Sequence, residues 1–260
     1  MKFDSSSEMP VLNQPNSISP QELINSRWTK NSLQAFPNTN GNIRGANHLR
    51  ALASTERVII KQKKEWLEIV LGCETQNHYD VLNEQNEVIF SADENSEFCM
   101  RCWCGPLRPI TVDIRDEDGV SIMHLRRPLA CQELCFPCCM QKMSVQAPPG
   151  NSIGSVAQKW GFKPQLHVKD ETNQVVFIIK GPLCQFSCRC GDVDFPIYAS
   201  DGQSECGKIS KRWRGVFHET FTDADIFGVK FPPGINPYMK ALLIGATFLV
   251  DYMYFEHANQ

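Results

Sequence analysis

Between residues 55 and 210, short apolar runs rich in Val, Ile and Phe alternate with polar turn sequences. Pairs of these runs flank turns at 83–86, 118–119, 170–173 and 201–202. Two such runs joined by a short Asn-, Asp- or Gly-containing turn have the pattern of a β-hairpin. Hairpins in succession predict a mainly β domain, either a closed barrel or a sandwich.

The N-terminal region has a different pattern. Residues 1–50 are rich in Ser, Asn, Pro and Gln and show no sustained apolar period. A segment of this composition buries too little apolar surface to offset its loss of conformational entropy. We therefore expect a disordered polar tail at 1–50 and a folded domain at 51–257.

The most apolar stretch follows the predicted strands. Residues 239–255 are predicted to form a helix, with Pro237 in its first turn, where a missing N–H is tolerated. The uncharged part covers only 241–250, between Lys240 and Asp251. A helix that crosses a bilayer needs about 20 apolar residues. Two alternatives stay open: a core helix inside the predicted barrel, or a helix that inserts into a membrane.

Composition and missing motifs argue against two classes of protein. A net charge of −3 and a pI near 6.1 give no case for nucleic-acid binding. The chain contains no Gly-x-Ser-x-Gly, no His-Glu-x-x-His and no phosphate-binding Gly loop. These absences argue against a conventional enzyme.

The chain has 12 cysteines, yet its first residues lack the apolar region of a secretory signal. We therefore expect thiols in a reducing compartment rather than a disulfide framework. The densest tract contains Cys135, Cys138 and Cys139, and three interpretations stay open. These cysteines are S-acylated and anchor the protein to a membrane, or they bind zinc, or they are buried thiols.

An acidic loop precedes the apolar helix. With Asp223 as position 1, Asp225 and Gly228 occupy positions 3 and 6 of an EF-hand-like loop, which predicts a Ca²⁺ site. Position 12 is Gly234, which offers no carboxylate, although Asn236 could supply an oxygen. We expect weak affinity for calcium. The alternative is that Asp223 and Asp225 belong to a helix cap.

One dense basic run lies at 207–215. Its cations are Lys208, Lys211, Arg212 and Arg214, and they surround Trp213. Such a run is typical of an importin-type nuclear signal or of a contact with anionic lipid. The alternative is the solvated end of a strand.

Several segments, in the same order along the chain, resemble the phospholipid scramblase family. They are 135–139, 146–150, 191–195, 207–211, 223–228 and 244–256. The likeness covers about residues 55–257. It implies a tubby-like fold, a closed β-barrel of about 12 strands around the C-terminal hydrophobic helix.

The resemblance also implies an activity and its sites. The activity is calcium-dependent, ATP-independent movement of phospholipids between membrane leaflets. The implied calcium segment is 223–234, with Asp223, Asp225, Phe227 and Phe231 at matching positions. The resemblance further implies palmitoylation at the Cys135 tract and nuclear import through 207–215.

Two functional hypotheses follow. In the first, the protein scrambles lipids at the plasma membrane, either from its cytoplasmic face or as a single-pass protein, with a nuclear pool when it is not acylated. Its partners would be the phospholipid membrane, importin and a second copy of the chain. In the second, it is a palmitoyl-tethered lipid- or protein-binding adaptor without scrambling activity of its own.

Overall fold

The computed structural model describes residues 49–63, 77–96, 107–129, 140–161, 163–182, 192–212 and 226–255. Twelve antiparallel strands form one closed barrel in which each strand pairs with the next along the chain. A short helix precedes the barrel and a long helix follows it. The elements are α1 (Arg50–Ala53), β1 (Arg57–Lys63), β2 (His78–Leu82), β3 (Val88–Asn95), β4 (Ile110–Arg115), β5 (Ser121–Arg127), β6 (Lys142–Gln146), β7 (Ser152–Gln158), β8 (Gln165–Asp170), β9 (Val175–Lys180), β10 (Val193–Ala199), β11 (Glu205–Arg212), β12 (Ile226–Lys230) and α2 (Pro237–Tyr254).

The first and last strands close the barrel. Arg57 of β1 pairs with Lys230 of β12, and Lys61 pairs with Ile226. Because neighbouring strands are antiparallel, successive connections lie alternately at opposite ends of the barrel. One end, the turn end, carries the short turns 83–87, 116–120, 147–151, 171–174 and 200–204. The other, the loop end, carries the remaining connections between strands.

Side-chain alternation along each strand separates the barrel interior from solvent. In β4, Ile110, Val112 and Ile114 are buried, whereas Thr111 and Asp113 are only partly buried. This is the period-2 pattern of a sheet with one face toward a core. Interior positions from the twelve strands therefore provide a largely apolar lining.

Helix α2 fills this interior and makes the core. It enters at the turn end and finishes at the loop end, and residues 239–253 are all buried. Gly245 permits a close approach to β6, since a Cβ there would lie 2.8 Å from Val145 Cγ2. Near the loop end, the Tyr79 and Phe248 rings meet edge to face with centroids 5.0 Å apart. The helix is thus packed against the sheet on all of its faces.

The predicted architecture is confirmed. The mainly β fold is a closed barrel, and the hairpins expected around 83–86, 118–119, 170–173 and 201–202 are β2–β3, β4–β5, β8–β9 and β10–β11. Of the two alternatives for 239–255, the structure has the core helix, at Pro237–Tyr254. Most of the expected tail lies outside the described residues, but Leu49 is buried and Arg50 begins α1.

Candidate functional site

Of the predicted calcium segment 223–234 the structure describes 226–234, and the first five of these residues are strand β12 rather than loop. β12 pairs with β1 on one side and with β11 on the other. Phe227 and Phe231 are buried, and the ring of Phe227 lies 5.5 Å from that of Phe255. Neither side chain has a ligand atom. The two carboxylates of the segment, Asp223 and Asp225, lie outside the described residues.

Along the chain, Asp223 and Asp225 precede β12, whereas Gly234 and Asn236 follow it. Gly234 has a φ of 72° and shapes the exposed turn before α2. Asn236 caps α2, since its Oδ1 accepts a hydrogen bond from the backbone N–H of Met239 at 2.9 Å. The five residues of β12 span about 16 Å, whereas a calcium ion binds ligand atoms that lie about 2.4 Å from it. Groups at the two ends of β12 are therefore too far apart to bind the same ion.

The described residues of this segment therefore do not form a calcium site on their own. Across the part of the chain that the structure describes, no three His, Cys, Asp or Glu side chains are grouped so as to hold a metal ion. Calcium binding through Asp223 and Asp225 stays a prediction.

The predicted acylation cysteines, Cys135, Cys138 and Cys139, also lie outside the described residues. Their tract is part of the connection from β5 to β6, which joins two strand ends at the loop end. Acylation, zinc binding and burial of these thiols stay open.

Cys206, on β11, is the one cysteine among the described residues. Burial, followed by the charges of Asp201 and Glu205, raises its pKa to about 11. The thiol also lies 3.5 Å from the carbonyl oxygen of Ile197, to which it donates. Since the thiolate is the nucleophile, Cys206 is poorly suited to modification at neutral pH.

The basic run at 207–215 is divided between the two faces of β11. Lys208 and Arg212 face outward and pair with Asp194 and Asp192, at 3.0 and 3.1 Å respectively. Lys211 faces inward with 1% exposure, and its Nζ lies 4.0 Å from the centroid of the Phe255 ring. The remaining cation, Arg214, lies outside the described residues. The nuclear-import and lipid-contact functions of the run stay predictions.

The outward part of this run is electrically compensated. Burial alone would raise the pKa of Asp194, but hydrogen bonds from Ser210 and Lys208 and the charges of Lys208 and Arg212 outweigh it and lower the pKa. The Asp194 carboxylate is therefore stabilised as an anion against β11. Lys208 and Arg212 are thus bound to acidic neighbours rather than turned toward solvent as an isolated cationic patch.

Lys240 fixes the first turn of α2 at the turn end. Its Nζ donates to the carbonyl oxygens of Leu52 at 2.7 Å, Ala53 at 3.1 Å and Thr55 at 2.8 Å. Burial lowers the pKa of Lys240, while the charges of Glu56 and Glu84 act in the opposite direction. The ammonium satisfies two carbonyls at the C-terminal end of α1 and one just after it, so it ties the start of the described chain to the central helix.

Polar side chains also surround the other end of α2. The Tyr79 hydroxyl donates to Asp251 Oδ2 at 3.1 Å, and the Arg127 guanidinium lies 5.2 Å from the centroid of the Tyr252 ring. Beside them, Arg108 and Glu94 form a buried ion pair at 2.8 Å. Cations near a helix C-terminus are favoured by the helix dipole. The helix is thus held by polar contacts at both ends.

These contacts were not predicted from the sequence. Lys240 and Asp251 were expected only to interrupt an apolar run, and no role was predicted for Glu94, Arg108 or Arg127. A partial signal existed, because Arg127 follows Met123 and Leu125 at the same strand period. In the described chain, no helix has both the length and the hydropathy to cross a membrane.

Comparison with known proteins places the chain in a family. Residues 37–257 match the family model described as Scramblase. Phospholipid scramblase 1 of Homo sapiens is 44% identical over 209 residues, which are 80% of this chain and 65% of that protein. Phospholipid scramblase 2 of Bos taurus is 42% identical over 209 residues, which are 80% of this chain and 71% of that protein. Phospholipid scramblase family member 5 of Homo sapiens is 38% identical over 212 residues, covering 81% of this chain and 78% of that protein.

The match covers the whole described barrel and the central helix, but the chain spans slightly less than two thirds of the length of human phospholipid scramblase 1. No solved structure gives a significant match. The predicted resemblance is confirmed: this chain belongs to the phospholipid scramblase family.

Proposed function

We propose that this protein moves phospholipids between the two leaflets of a membrane. The observation that carries the proposal is the family match over 37–257, which includes the described barrel and α2. Passive exchange of lipids between leaflets requires no bond to be made or broken. It is therefore compatible with a sequence that has no recognisable catalytic motif, and it needs no ATP.

The proposed activity depends on calcium, with Asp223 and Asp225 as the ligands, and on attachment to the cytoplasmic face of the plasma membrane through Cys135, Cys138 and Cys139. In the described conformation α2 is enclosed by the sheet. Lipid then meets the outer surface and the ends of the barrel rather than the helix. Contact between α2 and lipid would require the Lys240 and Asp251 hydrogen bonds to break.

The test is lipid scrambling in liposomes that contain the purified full chain and a fluorescent lipid, with calcium titrated. We expect calcium-dependent flux that Asp223→Ala and Asp225→Ala each reduce. The matched control is Glu117→Ala, which removes an exposed carboxylate from the turn after β4 at the opposite end. Wild-type flux that does not respond to calcium would refute the calcium dependence. No flux at any calcium concentration, with the chain bound to the liposomes, would refute intrinsic scrambling.

A second function is favoured by the burial of α2. A helix whose residues 239–253 are all buried gives a stable enclosed module, which suits a lipid-tethered adaptor without scrambling activity. Carbonate extraction of membranes from cells that express the Cys135→Ala, Cys138→Ala, Cys139→Ala variant separates the two anchoring modes. Release of this variant would favour the tethered module. Retention in the pellet would require another anchor, such as an inserted α2.

A further inference from the structure

The two ends of the barrel differ in charge. The turns at the turn end contain no Lys or Arg, and they carry most of the exposed acidic residues that the structure describes there. Those acids are Glu84, Glu87, Glu117, Asp118, Glu171 and Asp201. The strand ends here also expose the cations Arg57, Arg115 and Lys230, but the exposed acids outnumber them. Repulsion from an anionic surface would therefore turn this end away from it.

The loop end has the opposite charge along the rim formed by β5, β6, β7 and β8. The described rim segments are 126–129, 140–142, 158–161 and 163–165, and none of them contains Asp or Glu. Their exposed cations are Arg126, Lys142, Lys159 and Lys163. We refer to these segments together as the β5–β8 rim.

Adjacent strands bring these side chains together. Arg126 pairs with Ser144 in the register of β5 and β6, and Lys142 pairs with Ala157 of β7. At the end of β7, the Gln158 N–H donates to the carbonyl of Gln141, the residue before β6, at 2.8 Å. The rim is therefore one continuous edge of the sheet rather than a set of scattered lysines.

The same rim exposes two large apolar side chains. Leu129 is 58% exposed and Trp160 is 61% exposed. The other large exposed hydrophobic residues among those described are Val88 at 43% and Val120 at 44%, and both lie at the acidic turn end. Tryptophan beside lysine is typical of protein that lies at a membrane–water interface, because the ring prefers the headgroup level while the amines bind phosphate.

We propose that the β5–β8 rim is the surface on which the barrel docks on an anionic membrane. Leu129 and Trp160 enter the headgroup region, and Arg126, Lys142, Lys159 and Lys163 contact anionic headgroups. The turn end then points away from the bilayer. The docking proposal rests on the proposed function only in taking a membrane as the partner. Docking is measured without any lipid flux, so the two proposals can fail separately.

Chain connectivity supports the same orientation. The predicted acylation cysteines lie between β5 and β6, which are two of the four strands of the rim. Acyl chains there would hold this edge near the bilayer. The electrostatic contribution of each exposed cation is expected to make binding several-fold tighter at an anionic surface.

The test is sedimentation of the full, non-acylated chain, produced in bacteria, with vesicles of phosphatidylcholine alone or with about 30% phosphatidylserine. We expect binding to the phosphatidylserine vesicles that falls at least about 10-fold in Lys159→Glu/Lys163→Glu and in Leu129→Ser/Trp160→Ser. The matched controls are Lys230→Glu and Val120→Ser, which alter an exposed cation and an exposed apolar residue at the turn end. Circular dichroism and thermal melting check that every variant is folded.

Wild-type binding that the rim variants leave unchanged, or that the turn-end controls reduce equally, would overturn the proposal. So would equal affinity for both kinds of vesicle. A wild-type chain that binds neither vesicle would also overturn it and would favour an acidic protein surface as the partner of the rim. Rim-dependent binding with no flux in the scrambling assay would support docking while refuting the proposed function.

A second measurement locates Trp160 directly. Brominated lipids quench tryptophan fluorescence on contact, so wild type should lose more emission on brominated phosphatidylserine-containing vesicles than Trp160→Phe does. Equal quenching of the two proteins would contradict insertion of this side chain.

Discussion

At the scale of single residues, Lys240 shows how one buried charge can join distant parts of the chain. Its ammonium binds three carbonyls at the end of α1 and just after it, although some 185 residues separate the partners in sequence. A buried cation is costly unless its donors are satisfied, and here three backbone oxygens satisfy them. The contact therefore stabilises both the start of the barrel and the entry of α2.

Replacement of Lys240 by Met should reduce the free energy of unfolding by about 2 kcal/mol, because the carbonyls lose their donor. The measurement is the urea midpoint of the purified chain. Lys230→Met changes an exposed lysine on β12 and should shift the free energy by less than about 0.5 kcal/mol. Equal effects of the two substitutions would show that the Lys240 contacts contribute no net stability.

Cys206 gives a prediction about pH. A pKa of about 11 in place of the ordinary 9.0 lowers its thiolate fraction about 100-fold near pH 8. Alkylation of Cys206 by iodoacetamide, followed by mass spectrometry, should be slower by at least this factor in the native chain than in urea. Because the pKa is raised, the native rate should keep rising with pH to about 11 instead of levelling near 9. Similar rates in native and unfolded protein would contradict this.

At the scale of secondary-structure elements, α2 depends on a close approach to β6. Gly245→Val would place side-chain atoms against Val145, and we expect a loss of about 2 kcal/mol in the free energy of unfolding from overpacking. Gly228→Val on β12 is the matched control, since no atom lies within 4 Å of a Cβ built there. Thermal or urea unfolding of the two variants measures the difference in their free energies of unfolding. A Gly245→Val protein as stable as the control would mean that the helix can shift within the barrel.

The elements were predictable where the local sequence determines them. The hairpins with Asn, Asp or Gly in their turns were recognised, because these residues adopt turn conformations at low cost, as Asn86 and Gly119 do with φ of 64° and 76°. The β6–β7 turn at 147–151 was not predicted as a hairpin, since Pro148 and Pro149 are not typical of a two-residue hairpin turn.

The candidate sites were less predictable, because their contacts join residues far apart in the chain. The Lys240, Asp251 and Arg127 contacts depend on how α2 lies in the barrel, which no local pattern encodes. The division of the basic run between the two faces of β11, in contrast, follows from a local pattern. Once β11 is recognised as a strand, a period of two already assigns Lys208 and Lys211 to opposite faces.

At the scale of the whole molecule, closure of the barrel pairs strands from opposite ends of the domain. More residues separate β1 from β12 than separate the two strands of any hairpin. Pairing β1 with β12 therefore has the largest loop-closure cost in entropy. Formation of this pair is expected to follow the local hairpins during folding.

Two buried valines test this order. Val229→Ala on β12 and Val112→Ala on β4 each remove the same atoms from a fully buried site, and each should cost about 2 kcal/mol. In stopped-flow experiments, Val229→Ala should mainly accelerate unfolding, whereas Val112→Ala should also slow refolding. If Val229→Ala slows refolding as much as Val112→Ala does, the barrel closes early.

The position of α2 after all twelve strands has a consequence for biosynthesis. A ribosome completes every strand of the sheet before it makes the helix that occupies the interior. Until then the apolar lining has no native partner, and exposed apolar surface on an incomplete domain promotes aggregation. A nascent chain of this protein should therefore require a holding chaperone until α2 has emerged, and a product truncated before Pro237 should be degraded rather than accumulate as a smaller barrel.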